Sequence, residues 1–325
     1  MPAPGSAAAR RVLPVWAGLL LAVFAGLLMP LQGRVNGGLS TAMDDGAGAA
    51  TVSFATGLIV MTVLSFALPA GRRGLAQARA ALRDRDFPRW YLLAGVLGAY
   101  LVLGQASAVP LIGVAVFTVA VVAGQTISGL VVDRIGFGPG GRRAVTARRL
   151  TAAVVMVLAV AWAVSPRMAP GSDGDPGPLL PVLLPFTAGL LMGFQQAMNG
   201  TQAARYGTPI TATLFNFAAG ALVLATAWAV KVLVGGGTAS WPGEWWLYTG
   251  GLFGCIFIAI GAVLVRSLGV LVSGLCMIAG QLVGSLAIDL VLPAPGTIIA
   301  PATVLGTLVT LGAVVLASLP GRRPR

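Results

Sequence analysis

Histidine is absent from the 325 residues, and ionisable side chains are scarce: 21 Lys+Arg and 9 Asp+Glu make up only 9% of the chain. Without histidine there is no Ser-His or Cys-His nucleophile and no imidazole-bound zinc. So little charge excludes a soluble globular surface, which ordinarily carries about 25% charged residues. Disorder is excluded too, because 57% of the residues are apolar and mean hydropathy is +0.90. The two cysteines, Cys255 and Cys276, lie in apolar runs with no CxxC spacing, so they read as small packing residues. The sequence has no Walker-type loop, dinucleotide fingerprint or metal cluster, and no cofactor is expected. The net charge of +12 does not require nucleic acid in so apolar a chain. An integral membrane protein uses basic residues to orient itself.

What is present is apolar length. A hydrocarbon core about 30 Å thick takes roughly 20 apolar residues per helix. Ten segments qualify: 13–32, 47–68, 90–109, 112–132, 150–166, 179–198, 208–232, 245–265, 268–290 and 298–318. Pro110 separates the third from the fourth, and Thr208-Pro209 reads as a helix cap followed by proline at the first helical position. The expected fold is an all-α integral membrane protein with ten transmembrane helices; the short alternating segments of a β-barrel are missing. Arg10-Arg11 ahead of the first run imitates a secretory signal. No clean small-x-small site follows, however, and the segment has a partner later in the chain, so it is expected to stay. With ten crossings and both termini cytoplasmic, 18 of the 21 basic residues fall inside, leaving Arg34, Arg167 and Lys231 outside. That is a strong positive-inside bias in a cytoplasmic (inner) membrane, with the basic loops facing lipid headgroups.

The chain repeats itself. GLLMPLQGRVNG (26–37) aligns without gaps on GLLMGFQQAMNG (189–200), pairing Gln32 with Gln195 and Asn36 with Asn199. At the same offset Phe54 and Gly57 meet Phe217 and Gly220. A second block pairs Trp90, Gly95 and Gly98 with Trp246, Gly251 and Gly254, and continues through Gly113/Gly269 and Gln125/Gln281 to Asp133/Asp289. The expected organisation is a tail (1–12), a first five-helix repeat (13–166), an outer linker (167–178), a second repeat (179–318) and a tail (319–325). Five is odd, so the second repeat must enter the membrane inverted. Inverted repeats recur in secondary transporters.

The repeated Q-x-x-x-N-G followed by F-x-x-G resembles the YdcZ-type branch of the drug/metabolite transporter superfamily. Many members of that branch have five spans, and this chain resembles two of them joined in tandem. The resemblance covers nearly all of residues 13–318 and implies a carrier, but names no cargo. The second half departs slightly, with Gln195-Gln196 where the first has Gln32-Gly33.

Polar groups at membrane depth either serve function or bridge helices. Gln32 with Asn36, and Gln195 with Asn199, each share one helix face. The pairs either line a cavity across a pseudo-two-fold axis or glue the halves together. Asn216 and its counterpart Ser53 sit deeper. Gln125 and Gln281 follow glycines and read more readily as interhelical bonds, while Phe54 and Phe217 could wall a cavity or pack the core. Gln105 and Tyr100 rank lower. Asp133 and Asp289 read as symmetric gates or as helix anchors. No acid lies at a span centre, so a facilitator is expected, or coupling through Asp289 or Asp44/Asp45. The expected partners are a small-molecule substrate and membrane lipids, with a homodimer allowed. The leading reading is a carrier of a small organic solute. The alternatives are a lipid flippase, which would show a lateral groove with basic residues at headgroup depth, or a non-transporting scaffold. No nucleophile-base pair suggests an enzyme.

Overall fold

The computed structural model describes residues 14–139, 141–142, 144–165, 179–235, 240–268, 270–293, 297 and 299–318. The two tails and the 167–178 linker lie outside them. Among the described residues every regular element is helical: α1 (Val15–Met43), α2 (Gly46–Ala67), α3 (Pro69–Arg83), α4 (Ala94–Ile135), α5 (Ala147–Val164), α6 (Leu179–Tyr206), α7 (Pro209–Gly235), α8 (Gly250–Leu268), α9 (Val270–Val291) and α10 (Pro301–Ser318). Short 3-10 turns at Arg89–Leu93 and Trp245–Thr249 lead into α4 and α8. Six stretches are long and apolar enough to cross a bilayer: Trp16–Met43, Gly46–Ala67, Arg89–Ile135, Leu180–Tyr206, Pro209–Gly235 and Gly274–Val291. Their outer faces carry exposed Leu20, Ile59, Phe66 and Leu222. An apolar surface of this extent belongs in lipid, and the chain is a membrane protein.

Helix α4 has 42 residues, about 63 Å at 1.5 Å per residue and so roughly twice the hydrocarbon thickness. It is two limbs. At Gly113 the backbone leaves the helix with φ 78° and ψ 168°, a region open to glycine because it has no Cβ. The sequence placed this break at Pro110, which instead sits inside the first limb. Proline keeps a helical φ and costs one backbone hydrogen bond, whereas the bend needs positive φ.

Two further boundaries move. The first and sixth spans, expected to end at 32 and 198, continue as helix to Met43 and Tyr206. Polar residues lower hydropathy there without stopping a helix. What stops it is local turn chemistry. Asp44 adopts φ 52° and Asp45 then caps α2, its carboxylate accepting from the Gly48 N–H at 2.9 Å. At the aligned turn Gly207 adopts φ 66° and Thr208 accepts from the Ile210 N–H at 3.3 Å. Both amide pairs therefore lie within helices. The arginine-rich stretch after α2 is also helical: α3 buries Gly71, Gly74, Ala78 and Ala81 along one side and turns its arginines outward.

Glycine sets how closely the two halves approach. A Cβ on Gly26 (α1) would strike the Met277 carbonyl and Gly280 of α9, and one on Gly280 would strike the Val23 carbonyl and Gly26. The aligned residues repeat this arrangement between α6 and the second limb of α4. Gly189 lies against the Val121 carbonyl, and Gly124 against the Phe186 carbonyl. Backbone-on-backbone crossings of this kind require small residues.

Candidate functional site

The first amide cluster joins α1, α2, α4 and α8. Asn36 is fully buried, and its Nδ2 donates to Gln105 Oε1 at 2.8 Å. Gln32 lies against Gly254, where an added Cβ would stand 3.3 Å from its amide. Gly250 leaves room for Asn36 Oδ1 and Ser53 Oγ, which are buried and have no hydrogen-bond partner.

The second cluster joins α6, α7 and the first limb of α4. Asn216 Oδ1 accepts from Gln195 Nε2 at 3.0 Å and from Asn199 Nδ2 at 3.1 Å. Gln195 lies against Gly98, the residue aligned with Gly254. Asn199 Oδ1, like Asn36 Oδ1, is buried and unpartnered. The aligned asparagines thus carry equivalent orphan acceptors, although buried polar atoms are normally paired.

Phe54 and Phe217 meet each other with ring centroids 5.1 Å apart. Phe217 fills the space over Gly57 and Phe54 that over Gly220. Both are buried and pack in the core. Gln125 and Gln281 stand where glycine-mediated helix crossings bring their backbone N atoms against Gly189 and Gly26; Gln125 Oε1 has no partner.

The aspartates separate. Asp289 is 2% exposed and accepts from the Val114 N–H at 2.9 Å and the Ala115 N–H at 2.7 Å. Those N–H groups open the second limb of α4, so Asp289 caps the helix that restarts after Gly113. Asp133 instead pairs with Arg149 at 2.7 Å, both side chains partly exposed.

Other contacts were not legible as a pattern. Gln202 Nε2 donates to the Tyr91 carbonyl at 2.8 Å, and Gln105, ranked low, partners Asn36. Arg34 Nε donates to the Leu292 carbonyl at 2.9 Å and Nη2 to the Pro293 carbonyl at 3.4 Å. The available signal was that Arg34 is a lone cation inside an amide motif that the chain repeats. Asp45 pairs with Lys231 at 2.8 Å and accepts from Trp228 Nε1 at 2.9 Å. Burial pushes its carboxyl up, but the bonds from Lys231, Gly48 and Trp228 together hold it below the usual carboxylate range.

A cavity of about 630 Å³ opens at the end of α6 opposite to Arg34, lined by Tyr91, Gly136, Phe137, Thr201 and Arg205 among others. None of the ten expected binding residues lines it. Ala197, aligned with Arg34, lies against Gly138 beside it.

Among curated proteins, none matches the chain. The family described as "Putative inner membrane exporter, YdcZ" matches over residues 17–162 and 180–316. Both halves carry the pattern, and the chain belongs to that YdcZ family of the drug/metabolite transporters.

Proposed function

We propose that this protein is a secondary carrier that moves a small organic solute across the cytoplasmic membrane by alternating access. Ten spans form two inverted five-span halves, and both termini lie on the arginine-rich, cytoplasmic side. The buried, unpartnered Oδ1 atoms of Asn36 and Asn199 carry this reading. They stand at aligned positions on the seams between halves, where a polar solute would meet them as the seams part. The reciprocal glycine crossings support the pseudo-two-fold relation, because each half's first span packs on the other half's third and fourth.

The two ends differ. At the outer end Arg34 ties α1 to the segment after α9 through two carbonyls. At the inner end Ala197 has nothing to tie with, and a cavity within the roughly 300–1,000 Å³ range of small-molecule sites stands open. These two features support an inward-open state in this reading. Asp289 holds a helix break, so substituting it is expected to impair folding rather than a response to a pH gradient.

The test is a compound screen on purified protein by thermal shift, then proteoliposome flux of any ligand found. Flux should fall about fivefold or more in Asn216→Ala and Gln195→Ala while both remain folded, since the first removes two hydrogen bonds and the second one, each worth about 1 kcal/mol, and a buried partner is left unpaired. Unchanged flux in both would remove the amide clusters from the transport path.

A further inference from the structure

We propose that the trough between the second limb of α4 and α5 holds an acyl chain of an anionic membrane phospholipid, with the headgroup on Arg134. The site is independent of the carrier reading. The trough encloses about 530 Å³, and its walls are aliphatic, including Leu130, Val131, Leu150, Val154 and Leu158. Arg134 is the one charged side chain among the lining residues. Between Ile127 and Arg134 the α4 wall runs about 10 Å at helical rise, a length that receives part of a lipid tail and no compact polar solute.

Charge at the mouth selects the occupant. Arg134 stands in the last turn of α4, exposed and without an ion pair among the described residues. The neighbouring acid, Asp133, is taken by Arg149. Arg142 folds back toward the Ile135 carbonyl at 3.4 Å, adding a second cation near the same helix end. A guanidinium matches phosphate with parallel N–H donors, and basic residues at this boundary favour anionic headgroups. A soluble anion would leave the aliphatic wall uncovered, and a zwitterionic lipid would bring its own cation to the arginine. The polar end is confined to one mouth, so a headgroup has no polar path along the trough. The lipid is therefore resident and not cargo.

The experiment uses the full chain in nanodiscs of equimolar phosphatidylglycerol and phosphatidylcholine, with retained lipids read by native mass spectrometry. Wild type should retain phosphatidylglycerol about fivefold over phosphatidylcholine, the selectivity expected of one interfacial arginine. Arg134→Gln should cut the preference by more than half, the remainder resting on Arg142 and the other basic residues of this side, and Arg134→Lys should keep most of it. Val154→Trp or Leu158→Trp should fill the trough and lower retention of both lipids, whereas Leu222→Trp on the outer face of α7 should change nothing. Equal retention by wild type, a preference undiminished in Arg134→Gln, or full retention in both trough variants would overturn the assignment.

Discussion

The two amide clusters solve one problem with different residues. In the first half Asn36 gives its N–H to Gln105, a residue of α4. The position aligned with Gln105 in the second half is Gly261, which has no side chain to offer. There the acceptor comes from α7: Asn216 stands where the first half has Ser53, and takes bonds from both Gln195 and Asn199. The need to satisfy a buried asparagine donor is common to both halves, while the residue that meets it is not. Glycine behaves differently. Gly95 lies against the Asn216 carbonyl and Gly251 against the Ser53 carbonyl, so a crossing between backbones leaves no freedom to substitute another residue.

That contrast can be broken, beginning where the effect is largest. Gly95→Val and Gly251→Val should each cost about 3 kcal/mol or more, because the added atoms meet a backbone carbonyl that cannot swing aside. Thermal melting of the purified proteins should show equal losses, and a tolerated change on one side would end the reciprocity. Next come the aspartates. Asp289→Ala leaves two buried N–H groups without their carboxylate and should cost about 2–3 kcal/mol. Asp133→Ala should cost less than about 1 kcal/mol, as for other partly exposed ion pairs.

Asn216→Ala should lower stability by about 1–2 kcal/mol, whereas Ser53→Ala, at the aligned position, should be close to neutral because its hydroxyl has no partner. The smallest effect concerns Asp45. Its carboxyl is held below the ordinary value of 3.8, so its contribution is fully present above that value and is lost as pH falls through the lowered one. The difference in melting temperature between wild type and Lys231→Met should hold steady from about pH 8 to pH 5 and shrink below about pH 4. A difference that grew on acidification would contradict this sign.

Membrane character, helical class and the kinship of the halves were legible because apolar length and repeated Gln, Asn and Gly positions are one-dimensional signals. Side-chain partnership was not. Nothing in the sequence says that Gln105 rather than Ser53 meets Asn36, since that depends on how α1 is rotated against α4. Pro110 drew attention from Gly113 because proline is the louder breaker, yet only positive φ could make this bend. The helix α3 hid in a run of arginines because its buried side is made of glycine and alanine, which register weakly in hydropathy. Phe54 and Phe217 could be paired by alignment, but their tilted contact with each other follows from the crossing of α2 and α7.

The cap on the second limb of α4 has a consequence for synthesis. A growing chain reaches residue 113 long before residue 289 exists, and until α9 inserts, the amides that open the limb lack the acid that closes them. The second limb of α4 therefore keeps an unfinished end until the later half of the chain is made. If the gene were divided at the linker, the first product would depend on the second for this cap, while Asp133, already paired with Arg149, returns no equivalent one.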